Sequence, residues 1–144
     1  MKDIDGFELS PKKSQYLMFI LEHNGKAFTT NLAEHFRLDP STVTKTVTEM
    51  SSTGLIEHER YGSICLTDRG REYAEFLIRR HRIVELMLSH YGLTAEEACV
   101  EATRLEGHIS KDLVDKICTS LGHPTMGICG PIKHDTCCCC PGED

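Results

Sequence analysis

His81 and Glu85 stand four residues apart in the segment RRHRIVE, the spacing that places two side chains on one face of a helix. A helix offers an imidazole and a carboxylate to one ion in this way. The same pair is also a commonplace surface hydrogen bond, so its meaning depends on what lies nearby. Cys99, Thr103 and Glu106 follow at i, i+4 and i+7, with His108 just beyond them. Two helices therefore offer nitrogen, oxygen and sulfur donors. Such a mixed set suits ferrous iron, cobalt, nickel or zinc and makes a poor cage for calcium or magnesium; manganese fits if Cys99 is not a ligand. The competing reading of Cys99 is a small buried hydrophobe.

A second group of metal-type residues lies further on: Cys118, His123, Cys129, His134 and the run Cys137, Cys138, Cys139 and Cys140. These lack the paired spacing of a zinc knuckle, so either a disordered tail or an accessory metal site accounts for them. Contiguous cysteines do not build an ordinary scaffold of long-range disulfides, which favours reduced thiols. The chain has no Gly-rich phosphate loop, no serine nucleophile elbow and no HExxH helix. Its residues point away from catalysis.

The elements that must position these groups can be read from apolar periodicity. Tyr16, Leu17, Ile20 and Leu21 form one stripe of a helix from Pro11 to Glu22, and Gly25 ends it. A short helix from about Asn31 to Phe36, capped by Thr30 or Asn31, turns inward Leu32, Ala33 and Phe36. After the turn Arg37-Leu38-Asp39, Asp39 sits where an N-cap belongs and Pro40 where the first helical residue belongs. That third helix runs to about Ser52 and buries Val43, Val47 and Met50. Its other face carries Ser41, Thr42, Thr44, Lys45, Thr46, Thr48 and Glu49, although threonine is a poor helix former. Leu55–Arg60 and Ser63–Thr67 then read as strands of a hairpin closed by Tyr61-Gly62. Helix, turn, helix and hairpin make a winged helix-turn-helix, with Ser41, Thr42, Thr44, Lys45, Thr46, Arg60 and Tyr61 as the expected DNA contacts.

From Arg69 or Gly70 to about Tyr91 a long helix has Tyr73, Leu77, Val84, Met87 and Leu88 on its apolar side. Two shorter helices follow, about Ala95 to Glu106 with Ala98, Ala102 and Leu105 inward, and Lys111 to Leu121 with Leu113, Val114, Ile117 and Leu121 inward. Their apolar faces exceed what one copy buries, which implies a homodimer. The expected class is mainly α: a winged helix-turn-helix over 1–70, an all-helical metal-binding and dimerisation domain over 71–122, and a Gly/Pro/Cys-rich tail over 123–144.

The 144 residues carry 22 acidic and 16 basic side chains, a formal charge of -6, so DNA binding must come from local geometry rather than bulk positive charge. No apolar run reaches the roughly 18 residues a membrane span needs, and the start is polar, so a cytoplasmic protein without a membrane partner is expected.

The stretch LAEHFRLDPSTVTKTVTEMSSTGLIEHERYGSICLTDRGREYA, together with RRHRIVE and EATRLEGHIS, resembles the metal-dependent repressors of the diphtheria toxin repressor and manganese transport regulator family. The likeness covers roughly residues 9 to 121 and is similar in length to the short, two-domain type. It implies a metal-activated transcriptional repressor of metal-homeostasis genes that binds a double-stranded operator as a dimer. It also implies that His81, Glu85 and Cys99 fall where the family places the His, Glu and His of one metal site. Where the family builds its other site this chain has Gln15, Thr103 and Glu106-Gly107, with His108 displaced by one position and Met18 a further soft group near Gln15. The metal expected is Fe(II), then Mn(II), with Zn, Co or Ni as further candidates. Two alternatives stand beside this reading: a winged-helix regulator sensing redox state or thiophilic metals through its Cys-rich tail, and a metal-buffering module that does not bind DNA.

Overall fold

The computed structural model describes residues 4–59 and 62–133. The chain divides into two compact units, Leu9–Glu75 and the pairing of Met1–Glu8 with Phe76–Asp144. Among the described residues no helix is long and apolar enough to cross a membrane.

In the first unit, α1 (Pro11–Glu22) starts on Pro11 with Ser10 as its cap, the Ser10 Oγ accepting from the Lys13 N–H at 3.3 Å. The short strand β1 (Lys26–Phe28) leads into α2 (Thr29–Phe36), whose Asn31 side chain reaches back to accept from the Phe28 N–H at 2.9 Å. The helix therefore begins two residues before the expected Asn31, because Asn31 acts from inside the first turn. Arg37 then takes a left-handed conformation, and the Leu38 N–H returns to the Ala33 carbonyl at 3.0 Å. That turn launches α3 (Pro40–Ser51), with Asp39 at the cap position; the first backbone bonds go to the Asp39 carbonyl and its carboxylate takes no part in capping.

The wing, β2 (Ile56–His58) and β3 (Ser63–Leu66), has shorter strands than expected, paired Glu57 to Cys65 and His58 to Ile64. β1, which the sequence does not signal, pairs with β3 from Lys26–Cys65 to Phe28–Ser63 and gives the sheet order β1-β3-β2. A two-stranded hairpin is marginal alone, and this third strand completes it. Arg60 and Tyr61, expected to meet DNA, lie outside the described residues. The core of the unit is Tyr16, Leu17, Ile20, Leu32, Val43, Val47, Met50, Ile64 and Tyr73, each at most 2% exposed.

Helix α4 (Asp68–Ser89) starts where the Thr67 hydroxyl donates to the Gly54 carbonyl at 2.7 Å and accepts from the Gly70 N–H at 3.0 Å. Gly70 has no alternative there, since a Cβ would sit 1.8 Å from the Leu55 carbonyl oxygen.

In the second unit, Phe76, Leu77, Ile83 and Val84 of the later part of α4, Ala98 and Ala102 of α5 (Ala95–Leu105) and Val114 and Cys118 of α6 (Lys111–Ser120) are all buried. Thr94 and Glu97 close a reciprocal capping box at the start of α5. Buried Arg79 pairs with Asp115 at 2.8 Å, and buried Arg80 donates to the carbonyls of Gly6 and Ile109. Leu105 and Leu113, expected inward, are 40% and 46% exposed. They lie on faces of short amphipathic helices that a single copy leaves uncovered.

Candidate metal centre

On α4, one helical turn separates His81 from Glu85, and both project toward α5, where Cys99 faces them. The His81 Nε2 lies 3.5 Å from the Glu85 Oε2 and 3.5 Å from the Cys99 Sγ. Glu85 is fully buried. A buried carboxylate needs a charged partner or several donors to be tolerated, and its neighbours here are themselves metal-type donors. The three expected residues are thus brought together, and their donor types fit a divalent transition metal.

Glu106, expected to be a ligand, stands behind the ring instead. α5 ends at Leu105 and a single 3₁₀ turn, Glu106–His108, follows, carrying the buried Glu106 carboxylate to within 2.7 Å of the His81 Nδ1. A carboxylate in that place fixes the ring's tautomer and orientation so that the other nitrogen faces Glu85 and Cys99. It also lifts the His81 pKa to about 9: the hydrogen bond to Glu106 outweighs burial, and the charge of Glu106, the Cys99 hydrogen bond and the charge of Glu85 add to it.

Two other expected ligands, His108 and Gln15, are placed differently, and Thr103 lies outside the cluster as well. His108 is exposed at the end of the 3₁₀ turn and outside the cluster. The tighter turn does not bring it back, since Glu106 occupies the inward position. Thr103 is exposed and its hydroxyl donates to the Cys99 carbonyl at 3.0 Å. Gln15 is an exposed residue of α1 in the other unit.

Cys129, read from sequence as part of an accessory site, joins the cluster. Its Sγ is 3.0 Å from the Glu85 Oε2 and 4.0 Å from the Cys99 Sγ, and its N–H donates to the Glu85 Oε1 at 2.9 Å. One donor atom each from His81, Glu85, Cys99 and Cys129 fall within 4.8 Å of one another. The hydrogen bond to Glu85 pushes the Cys129 thiol up to about 12, with burial adding. The Cys118 Sγ and His123 Nδ1 approach each other to 3.6 Å apart from this cluster. His134 and Cys137 to Cys140 lie outside the described residues.

The N-terminal DNA binding domain of the iron dependent repressor family matches residues 8–64, and that family's metal binding and dimerisation domain matches residues 67–131. The chain belongs to the iron-dependent repressor family. The repressor is 31% identical to the uncharacterized HTH-type transcriptional regulator MJ0568 of Methanocaldococcus jannaschii over 69% of this chain and 81% of that protein. It is 28% identical to the HTH-type transcriptional regulator MntR of Geobacillus kaustophilus over 72% of this chain and 73% of the relative. Among solved structures, the hypothetical protein SSo2273 from Sulfolobus solfataricus superposes with a TM-score of 0.76 at 26% identity, over 88% of this chain and all of that one. The chain is a metal-dependent, DNA-binding transcriptional regulator with a dimerisation domain, in a family of regulators rather than catalysts.

The DNA-binding unit presents part of the expected face. Ser41, Thr44 and Lys45 of α3 are exposed and Thr42 is half-buried. Thr46 is not on that face: it is 8% exposed and its hydroxyl donates to the Thr42 carbonyl at 3.1 Å. Thr48 bonds back to Thr44 in the same way at 2.8 Å. Back-bonding satisfies these hydroxyl donors inside the helix, which is how α3 accommodates so many threonines.

Proposed function

We propose that this repressor responds to ferrous iron ahead of manganese, held by His81, Glu85 and Cys99 with Glu106 as the orienting carboxylate, and silences metal-homeostasis genes in the cytoplasm by binding their operator as a homodimer. The observation that carries the reading is the buried Glu85 carboxylate facing the His81 Nε2 and the Cys99 Sγ. The thiolate shifts preference from the harder manganese toward iron. Ser41, Thr42, Thr44 and Lys45 are the groups that meet phosphates and base edges in the major groove.

The bound ion would supply positive charge that offsets Glu85 and the thiolate. Everything else is done by the chain. Glu106 holds the imidazole, α4 and α5 hold the carboxylate and thiol opposite it, and α4 is the same helix that Gly70 seats beneath Leu55. The change in DNA affinity equals the difference in metal affinity between the DNA-competent and other states.

A second reading has a specific observation behind it: the 4.0 Å approach of the Cys99 and Cys129 sulfurs, which suits a thiol-based redox response. Operator binding measured with metal, with chelator and with oxidant tests both. Binding that needs metal and is lost on chelation supports iron sensing. Binding that ignores metal but changes with oxidant replaces it with the redox reading, and no operator binding under any condition leaves a metal-buffering module.

A further inference from the structure

Cys129 is delivered to the centre by a built loop. The Gly127 N–H donates to the Gly130 carbonyl at 2.8 Å and the Ile132 N–H to the Thr125 carbonyl at 2.9 Å, closing residues 125–132 on themselves. Ile132 is 5% exposed, and the Arg82 guanidinium of α4 donates to the Pro131 carbonyl. Gly130, at φ +157, lies where a Cβ would be 3.0 Å from that guanidinium, so the loop runs close against Arg82. The Thr125–Ile132 bond ties the ends of the loop together, Pro131 and Ile132 anchor its later end, and Cys129 lies between.

The two bonds from Cys129 divide the carboxylate of Glu85. Its N–H takes Oε1 at 2.9 Å, which leaves Oε2 turned toward the His81 Nε2 and the Cys129 Sγ. Metal-bound carboxylates are characteristically anchored this way, by a donor on one oxygen. Around an ion with bonds of about 2.0–2.3 Å, tetrahedral ligands sit about 3.3–3.8 Å apart. Four of the six separations here are 3.5, 3.5, 3.0 and 4.0 Å, close to that spacing, and all four donor atoms lie within 4.8 Å of one another.

We propose that Cys129 is the fourth ligand, closing a His81–Glu85–Cys99–Cys129 site for a four-coordinate thiophilic divalent ion of the iron, cobalt and zinc class, and not for manganese. This rests on the metal-sensing reading above and sharpens it. Two thiolates make the donor set softer than one would, and four clustered ligands, two of them sulfur, disfavour an ion that prefers six oxygen-rich partners. Occupancy also pins residues 125–132 to α4 and α5, so the loop becomes part of what metal orders.

Cobalt(II) titrated anaerobically into the full chain is the probe, because its visible bands report coordination number and its near-ultraviolet charge-transfer intensity reports thiolates bound. The wild type should show the strong visible bands of a four-coordinate centre. Cys129→Ser and Cys129→Ala should each lose about half of the charge-transfer intensity, with cobalt affinity falling at least about tenfold. Cys99→Ser should lose a similar share, while manganese affinity changes little in the Cys129 variants. A Cys129 variant with the wild-type spectrum, in a protein whose cobalt binding is abolished by His81→Ala, overturns this inference alone. Cobalt binding that His81→Ala leaves intact overturns the metal-sensing assignment as well.

Discussion

The His81 Nδ1 and the Glu106 Oε2 lie 2.7 Å apart across 25 residues of sequence, so the carboxylate at the end of α5 sets the ring on α4 that faces Glu85 and Cys99. Glu106 is a positioning residue in this arrangement. Glu106→Ala should therefore lower metal affinity about 10- to 100-fold, the range typical for removing an orienting partner, while Glu106→Gln, which still accepts from the ring, should lose less. His81→Ala should lose more than either. Competition titrations against a metal-binding dye give the order directly, and equal affinities for wild type and Glu106→Ala would remove Glu106 from the centre.

The same contact gives the metal-free protein a pH dependence. Folding raises the His81 pKa from 6.5 to about 9, chiefly through Glu106, so the folded state binds this proton more tightly than the unfolded chain does. That stabilisation is complete below about pH 6.5 and is lost as the pH rises through about 9. The urea midpoint of chelator-treated protein should fall across this window, and Glu106→Gln should flatten the fall. A midpoint that rises between these pH values would contradict the sign.

Gly70 should tolerate no side chain. A methyl group there meets a backbone carbonyl rather than a flexible side chain, so the start of α4 must move. Gly70→Ala should cost about 3 kcal/mol or more, toward the severe end of single substitutions. Thermal denaturation of the two proteins checks it, and an unchanged midpoint would show that α4 does not need this close approach.

Lys45 is exposed on α3 beside Thr44. If it meets a phosphate, Lys45→Ala should weaken binding to all sequences alike and reduce the slope of log affinity against log salt by about one. Anisotropy at several salt concentrations reads both. An unchanged slope would take Lys45 out of the interface.

Much of this fold was legible in residues with strong local meaning. Pro11 and Pro40 marked the first turns of α1 and α3, and the apolar stripes of those helices are buried as their periodicity implied, save Leu21, which is half-buried. β1 was not legible, because three residues carry no alternation and its pairing with β3 is set by tertiary contact. Thr46 was misplaced because a hydroxyl reads as polar in a periodicity, whereas its bond to the Thr42 carbonyl lets it be buried. His81, Glu85 and Cys99 could be found from helical spacing. Cys129 could not, since it lies 30 residues beyond Cys99 in a loop shaped by the backbone bonds Gly127–Gly130 and Ile132–Thr125. The one local sign was a cysteine set between Gly127 and Gly130 and followed by Pro131, a composition that marks a fixed turn rather than a featureless tail.

On the proposed function, metal held by these side chains controls DNA binding. Ferrous iron titrated anaerobically into the full chain, with operator binding followed by fluorescence anisotropy in wild type and His81→Ala, tests it most directly. Operator affinity should rise with iron in the wild type, rise less with manganese, and stay at the metal-free level in His81→Ala although that protein remains folded. A His81→Ala protein whose operator binding responds to iron as the wild type does would contradict the account.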